Sequence, residues 1–98
     1  MTGIKMDVAR EHFCMNIALD CLKDALKVKS ELKAKGERSD EIQDRINALA
    51  DHLRKTCGVV EERILDTEDG GFDLIQLHNN FTRDILQYIE EKSEEIKG

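Results

Sequence analysis

Apolar residues cover more than one side of a helix in the stretch from Phe13 to Leu32. Placed at about 100° per residue, they span an arc of roughly 240° and leave polar side chains only a narrow strip. An ordinary surface helix shows an apolar stripe little more than ~100° wide. The first predicted helix, at about residues 4–35, is therefore the central helix of the fold and needs cover from at least two sides.

A second helix is predicted at about residues 40–66. Ser39 or Asp40 provides the cap, and Gln43 follows at the spacing typical of a helix start. Its apolar stripe is roughly 80° wide, so this helix fills a groove and does not sit at the centre. Gly58 interrupts the stripe at a cost of about 1 kcal/mol relative to Ala and predicts a kink or a split into two shorter helices. The stripe consists of Ile42, Ile46, Leu49, Leu53, Cys57, Val60 and Ile64.

An acidic run with a glycine pair predicts a loop at residues 66–71, followed by a third helix at about residues 72–97. The charged end of that helix, from Glu90 onward, is expected to fray. Short connections require neighbouring helices to run antiparallel. The sequence thus predicts an all-α fold with one domain over residues 1–98, an antiparallel up-down-up bundle of three long helices whose second helix is kinked or broken near Gly58.

One apolar flank of the first helix has no packing partner within the chain in this arrangement. A seam from Ile4 to Leu26 is long enough to serve the intramolecular core, and the apolar residues beside it remain exposed unless the third helix covers them. Large exposed apolar patches usually mark an interface. The simplest cover is a second copy of the chain across a two-fold axis. This candidate interface consists of Phe13, Ile17, Cys21 and Val28.

Composition and charge narrow the classes of partner. The 98-residue chain has no proline or tryptophan, and its net charge of −6 divides into +2 over residues 1–35 and −8 over residues 36–98. The acidic part disfavours direct contact with nucleic acid or an anionic membrane and suits a basic protein partner, although solubility alone also explains it. No apolar run approaches a membrane span. Three cysteines without a framework spacing indicate a reduced, cytoplasmic protein.

His52 lies on the polar side of the second predicted helix, with Arg54 and Lys55 close after it. The segment from His52 to Gly58 resembles the motif of histidine phosphotransfer domains, which are small helical bundles with an exposed histidine in mid-helix. The histidine and the lysine match, whereas the glycine falls two places late and Arg54 stands where that family has an apolar residue. The resemblance implies a phosphoacceptor role for His52, with neighbouring cations to hold the phosphoryl group; the alternative is an ordinary surface histidine.

The other histidines and the cysteines suggest no cofactor. His78 falls on the apolar seam of the third helix, which predicts a buried polar site, either a structural histidine or a place where a small ligand binds. His12, Cys14 and Cys21 lack the close pairs that zinc sites use, so no metal is expected. Cys14 and Cys21 are explained as small apolar side chains. No nucleotide-binding motif is present, and no catalytic residue is proposed.

The sequence therefore predicts a non-enzymatic protein–protein interaction module that forms a homodimer through its helix faces. Such a module could act as an adaptor, as a chaperone-like cover or as an inhibitor. Two narrower hypotheses stay open beside it. One is phosphotransfer through His52, and the other is a small acidic inhibitor that competes with nucleic acid for a basic protein, as small phage-encoded proteins can do.

Overall fold

The computed structural model describes residues 3–66 and 71–97, and these form three long helices and one short helix, with no strand among them. The helices are α1 (Gly3–Ala34), α2 (Asp40–Asp66), α3 (Gly71–Glu91) and α4 (Ser93–Lys97). They pack against one another as a helical bundle, which confirms the all-α prediction. The predicted loop at residues 66–71 falls largely outside the described residues. Within them, no helix is both long and apolar enough to cross a lipid bilayer.

The turn between α1 and α2 is formed by residues suited to ending one helix and starting the next. Gly36 takes a positive φ of 73°, and the N–H of Glu37 donates to the Leu32 carbonyl at 2.8 Å, so α1 ends in a Schellman motif. Ser39 then caps α2, because its Oγ accepts a hydrogen bond from the Ile42 N–H at 3.3 Å. This short connection folds α2 back along α1.

Of the kink or split predicted at Gly58, the structure excludes the split. α2 continues without interruption from Asp40 to Asp66. Its neighbours Cys57 and Val60 are 6% and 1% exposed, so both sides of the glycine are anchored in the core. Burial of one such side chain stabilises a helix by about 1.5–3 kcal/mol, which outweighs the cost of about 1 kcal/mol for a helical glycine.

The third predicted helix is interrupted instead, at Lys92, which separates α3 from α4. The charged end does not fray in this structure, because Ile96 is 5% exposed and packs into the core. Two side chains from the first two helices hold the α4 backbone: Lys29 donates to the Glu95 carbonyl at 2.5 Å, and Gln43 donates to the Ile96 carbonyl at 2.6 Å. Satisfied carbonyls and one buried isoleucine together explain why this short helix folds onto the bundle.

The core has two apolar parts along the length of the bundle. The larger one surrounds Met15, Leu22, Ile46 and Leu53, and the smaller one, near the start of α1, joins Val8 to residues of α2 and α3. The molecule measures 54 × 20 × 15 Å, and its radius of gyration is 15.8 Å, whereas a compact domain of this length is expected to have about 13 Å. The fold is therefore an elongated, thin bundle in which α2 packs against α1, α3 and α4, while α3 packs only lightly on α1. The prediction that the first helix is the central one is wrong, because one side of its apolar arc stays uncovered and α2 lies between α1 and α3.

Candidate protein-interaction surface and a buried histidine pair

The apolar flank predicted on the first helix is exposed in the structure. Phe13 is 66% exposed, Ile17 is 49% exposed and Val28 is 39% exposed, and the Cys21 side chain is exposed as well. Met6, at 55%, continues the same surface towards the start of α1. We call these five residues the α1 flank. Sequence reasoning missed Met6, although it stands one heptad before Phe13 and therefore shares its face.

Neither α2 nor α3 covers the α1 flank. Both pack on the opposite side of α1, where Val8, Met15 and Leu22 are at most 2% exposed. A shallow depression on the flank, bordered by Met6, Phe13 and the stem of Arg10, is formed by α1 residues alone. The alternative that the third helix covers this flank therefore does not hold in the structure, and four of its members are large enough to form an apolar contact surface.

Two histidines meet on the core side of α1, between the two apolar parts of the core. His12 Nε2 lies 2.8 Å from His78 Nδ1, and His78 Nε2 lies 2.9 Å from the carbonyl oxygen of Cys57. The two rings are nearly parallel, with centroids 5.1 Å apart, and the His12 ring also stacks on Phe81 at 4.0 Å. This polar layer thus links α1, α2 and α3 at one level of the bundle.

The carbonyl of Cys57 fixes the protons in this layer. A carbonyl can only accept, so His78 Nε2 carries a proton and donates it. In the neutral ring, His78 Nδ1 is then an acceptor, and it accepts the hydrogen bond that His12 Nε2–H donates. Both nitrogens of His78 are satisfied, and its side chain is 1% exposed. The structure therefore places His78 as a hydrogen-bonded core residue with no donor or acceptor left for a small ligand.

Burial and a neighbouring imidazole both act on His12. Loss of solvent lowers the pKa of His12 below its ordinary value, the nearby His78 lowers it further, and Glu11 partly opposes them. These surroundings favour the neutral form of His12, which still carries the Nε2 proton that it donates to His78. Sequence reasoning treated His12 only as a candidate metal ligand. Its place between Val8 and Met15, at helical spacing along the core seam, is the signal that could have located it.

His52 lies on the exposed side of α2 and takes no part in the histidine pair. Lys55, which the phosphotransfer resemblance would assign to the phosphoryl group, forms an ion pair with Asp51 at 2.9 Å. A carboxylate beside the proposed cation opposes the binding of a phosphoryl group. His52 therefore offers an accessible imidazole, but the charge around it is mixed.

The three cysteines are free thiols in different environments. Cys14 and Cys21 are exposed on α1, whereas Cys57 is buried in α2. Burial raises the pKa of the Cys57 thiol to about 11, so this thiol stays protonated and unreactive near neutral pH. In the part of the chain that the structure describes, no group of three or more histidine, cysteine or acidic side chains is arranged to hold a metal ion.

Comparison of the chain with protein-family models, with curated proteins and with solved structures finds no match.

Proposed function

We propose that this protein is a non-enzymatic helical interaction module of the cytoplasm that forms a homodimer through the α1 flank. The observation that carries the proposal is the concentration of exposed apolar side chains on this one face. Of the exposed large hydrophobic residues, Met6, Phe13, Ile17 and Val28 lie on it, whereas the others are single residues spread over α2 and α3. Scattered apolar residues are normal on a surface, but a continuous row of them favours association.

The exposed area of the chain supports the same proposal. The folded chain exposes 6890 Å². A compact monomer of its mass is expected to expose about 5,700 Å². The excess of about 1,200 Å² is larger than the roughly 800 Å² that each partner contributes to a standard stable interface. A second copy on the α1 flank would cover part of this excess, including Met6, Phe13, Ile17 and Val28.

The outer surfaces of α2 and α3 support a second partner of opposite charge. Acidic side chains are exposed along most of α2, and dimerisation through α1 leaves them accessible. This acidic surface suits a basic protein, which is the basis of the inhibitor hypothesis. Binding to such a partner should weaken steeply with added salt, and an affinity that ignores salt would exclude the electrostatic version.

Light scattering at several concentrations tests the homodimer directly. We expect the native chain to have the mass of two chains and Ile17→Glu to have the mass of one, because a charge on the flank cannot be buried against an apolar partner. Leu77→Glu is the matched control, since Leu77 is a comparably exposed apolar residue on α3, at 57%. A native monomer at every concentration, or a dimer that Ile17→Glu leaves intact, would contradict the proposal.

A further inference from the structure

The exposed row on α1 is symmetric about Ile17 in both position and charge. Counted from Ile17, the members of the row stand four, seven and eleven residues away on either side. Apolar or small side chains occupy the positions at four and eleven, and the two charged members occupy the positions at seven. In chain order the row is Met6, Arg10, Phe13, Ile17, Cys21, Asp24 and Val28.

From this symmetry we infer that two copies of the chain pack α1 against α1 in antiparallel orientation, with the two-fold axis passing through Ile17. The inference rests on the proposed homodimer and specifies its orientation and register. A two-fold axis at Ile17 brings each residue to the level of the residue equally far on the other side. Ile17 then faces its own copy, and Arg10 of each chain reaches the level of Asp24 of the other.

Charge complementarity selects this arrangement over the parallel one. Arg10 and Asp24 are exposed, and among the described residues neither takes part in an ion pair or a hydrogen bond within its own chain. The antiparallel dimer contains two symmetry-related Arg10–Asp24 pairs. A parallel dimer would place Arg10 against Arg10 and Asp24 against Asp24, and like charges in an interface are repulsive. The remaining positions of the row are uncharged at every level in both orientations.

The length of the row fits such a contact. From Met6 to Val28 the helix rises about 33 Å, which covers most of α1 and provides uncharged contacts at the centre and at both ends of the row. Asp20 and Lys27 border the row on one edge and stay at the solvent boundary. The contact therefore has an apolar centre, with one ion pair about 10 Å from the axis on each side.

Charge reversal tests the register. In the antiparallel dimer, Arg10→Glu places a second carboxylate at the level of Asp24, and Asp24→Lys places a second cation at the level of Arg10. Because two pairs become repulsive in each case, we expect the dimer dissociation constant to rise about tenfold or more for either single variant at low ionic strength. The double variant Arg10→Glu/Asp24→Lys should dimerise as tightly as the native chain, since it restores both pairs in reversed polarity. A one-to-one mixture of the two single variants should also recover dimers.

Two control variants carry the same changes in charge at positions outside the exposed row. Lys5→Glu lies on another side of α1, and Asp44→Lys lies on the exposed side of α2; both should dimerise like the native chain. Circular dichroism should show the same helix content for every variant. Sedimentation velocity over a dilution series gives the dissociation constants.

The outcomes separate the register from the proposed function. If both single variants dimerise more weakly than the native chain and the double variant dimerises as tightly as the native chain, the antiparallel register is supported. If Ile17→Glu abolishes the dimer but neither charge reversal weakens it, the register is wrong while the homodimer through the α1 flank stands. If the native chain is a monomer throughout, both the register and the homodimer are wrong.

Discussion

Two imidazole rings in a core cost free energy unless their nitrogens find partners. In this protein the partners are each other and the carbonyl of Cys57, and the order of donors is set by that carbonyl. Burial disfavours a positive charge on the His12 ring, so acid should weaken this layer.

His12 should make the stability of the fold depend on pH. Its pKa is lowered in the folded state, mainly by burial and then by His78, so the unfolded chain takes up a proton first as the pH falls. The free energy of unfolding should be highest above the unfolded histidine pKa of about 6.5 and should decrease as the pH falls from there towards the lowered folded value.

Chemical unfolding of the native chain between pH 7.5 and 5 measures this decrease. His12→Gln keeps a side-chain donor for His78 but does not titrate, so its stability should fall less over the same interval. His52→Gln is the control, because His52 is exposed and stands outside the layer. An equal pH slope in the native chain and in His12→Gln would contradict the assignment.

At the scale of the helices, Gly36 and Gly58 have opposite roles. Gly36 needs a positive φ to end α1, whereas Gly58 lies inside α2 with an ordinary helical backbone, and a Cβ there would meet no atom within 4 Å. Gly58→Ala should therefore stabilise the fold by about 0.5–1 kcal/mol, because alanine loses less backbone entropy in a helix.

Gly36→Ala is the matched control and should destabilise the fold by about 1 kcal/mol, since alanine is strained at positive φ. Urea unfolding at one pH measures both variants. A loss of stability in Gly58→Ala would mean that the helix needs flexibility at this point after all.

The helices themselves follow from the spacing of apolar residues, but their interruptions do not. The sequence predicts α1, α2 and the start signals around Ser39, because these depend on local pattern and capping. It misplaces the break, at Gly58 instead of Lys92, because the outcome depends on tertiary burial on both sides of the glycine. The sequence also does not predict that Lys29 and Gln43 donate hydrogen bonds to carbonyls of α4, because these contacts join residues far apart in the chain.

Of the candidate sites, too, one could be predicted from the sequence and one could not. The exposed flank of α1 could be predicted, because the width of an apolar arc can be read from one helix at a time. The partnership of His12 with His78 could not, since the two residues are 66 positions apart and meet only when α1 and α3 are docked. His78 alone carries a signal, an unexpected polar residue in an apolar seam, and this signal leaves its partner undefined.

The whole molecule is long and thin, so a partner packed against it should add to its stability. A bundle 15 Å across in its thinnest direction has little interior relative to its surface. A second copy on the α1 flank would cover the exposed side of α1 without changing the fold of either chain. Dimerisation and folding should then be thermodynamically linked, because the second copy binds only the folded chain.

This linkage predicts a melting temperature that depends on protein concentration. Each tenfold increase in chain concentration stabilises the folded dimer by about 1.4 kcal/mol, or about 0.7 kcal/mol per chain. For a domain of this length that corresponds to a rise of about 3–5 °C in melting temperature. Calorimetric scans of the native chain over a hundredfold range of concentration should show the rise, and Ile17→Glu should melt at one temperature throughout. A native melting temperature that stays constant over this range would mean that the exposed flank contributes nothing to stability through self-association.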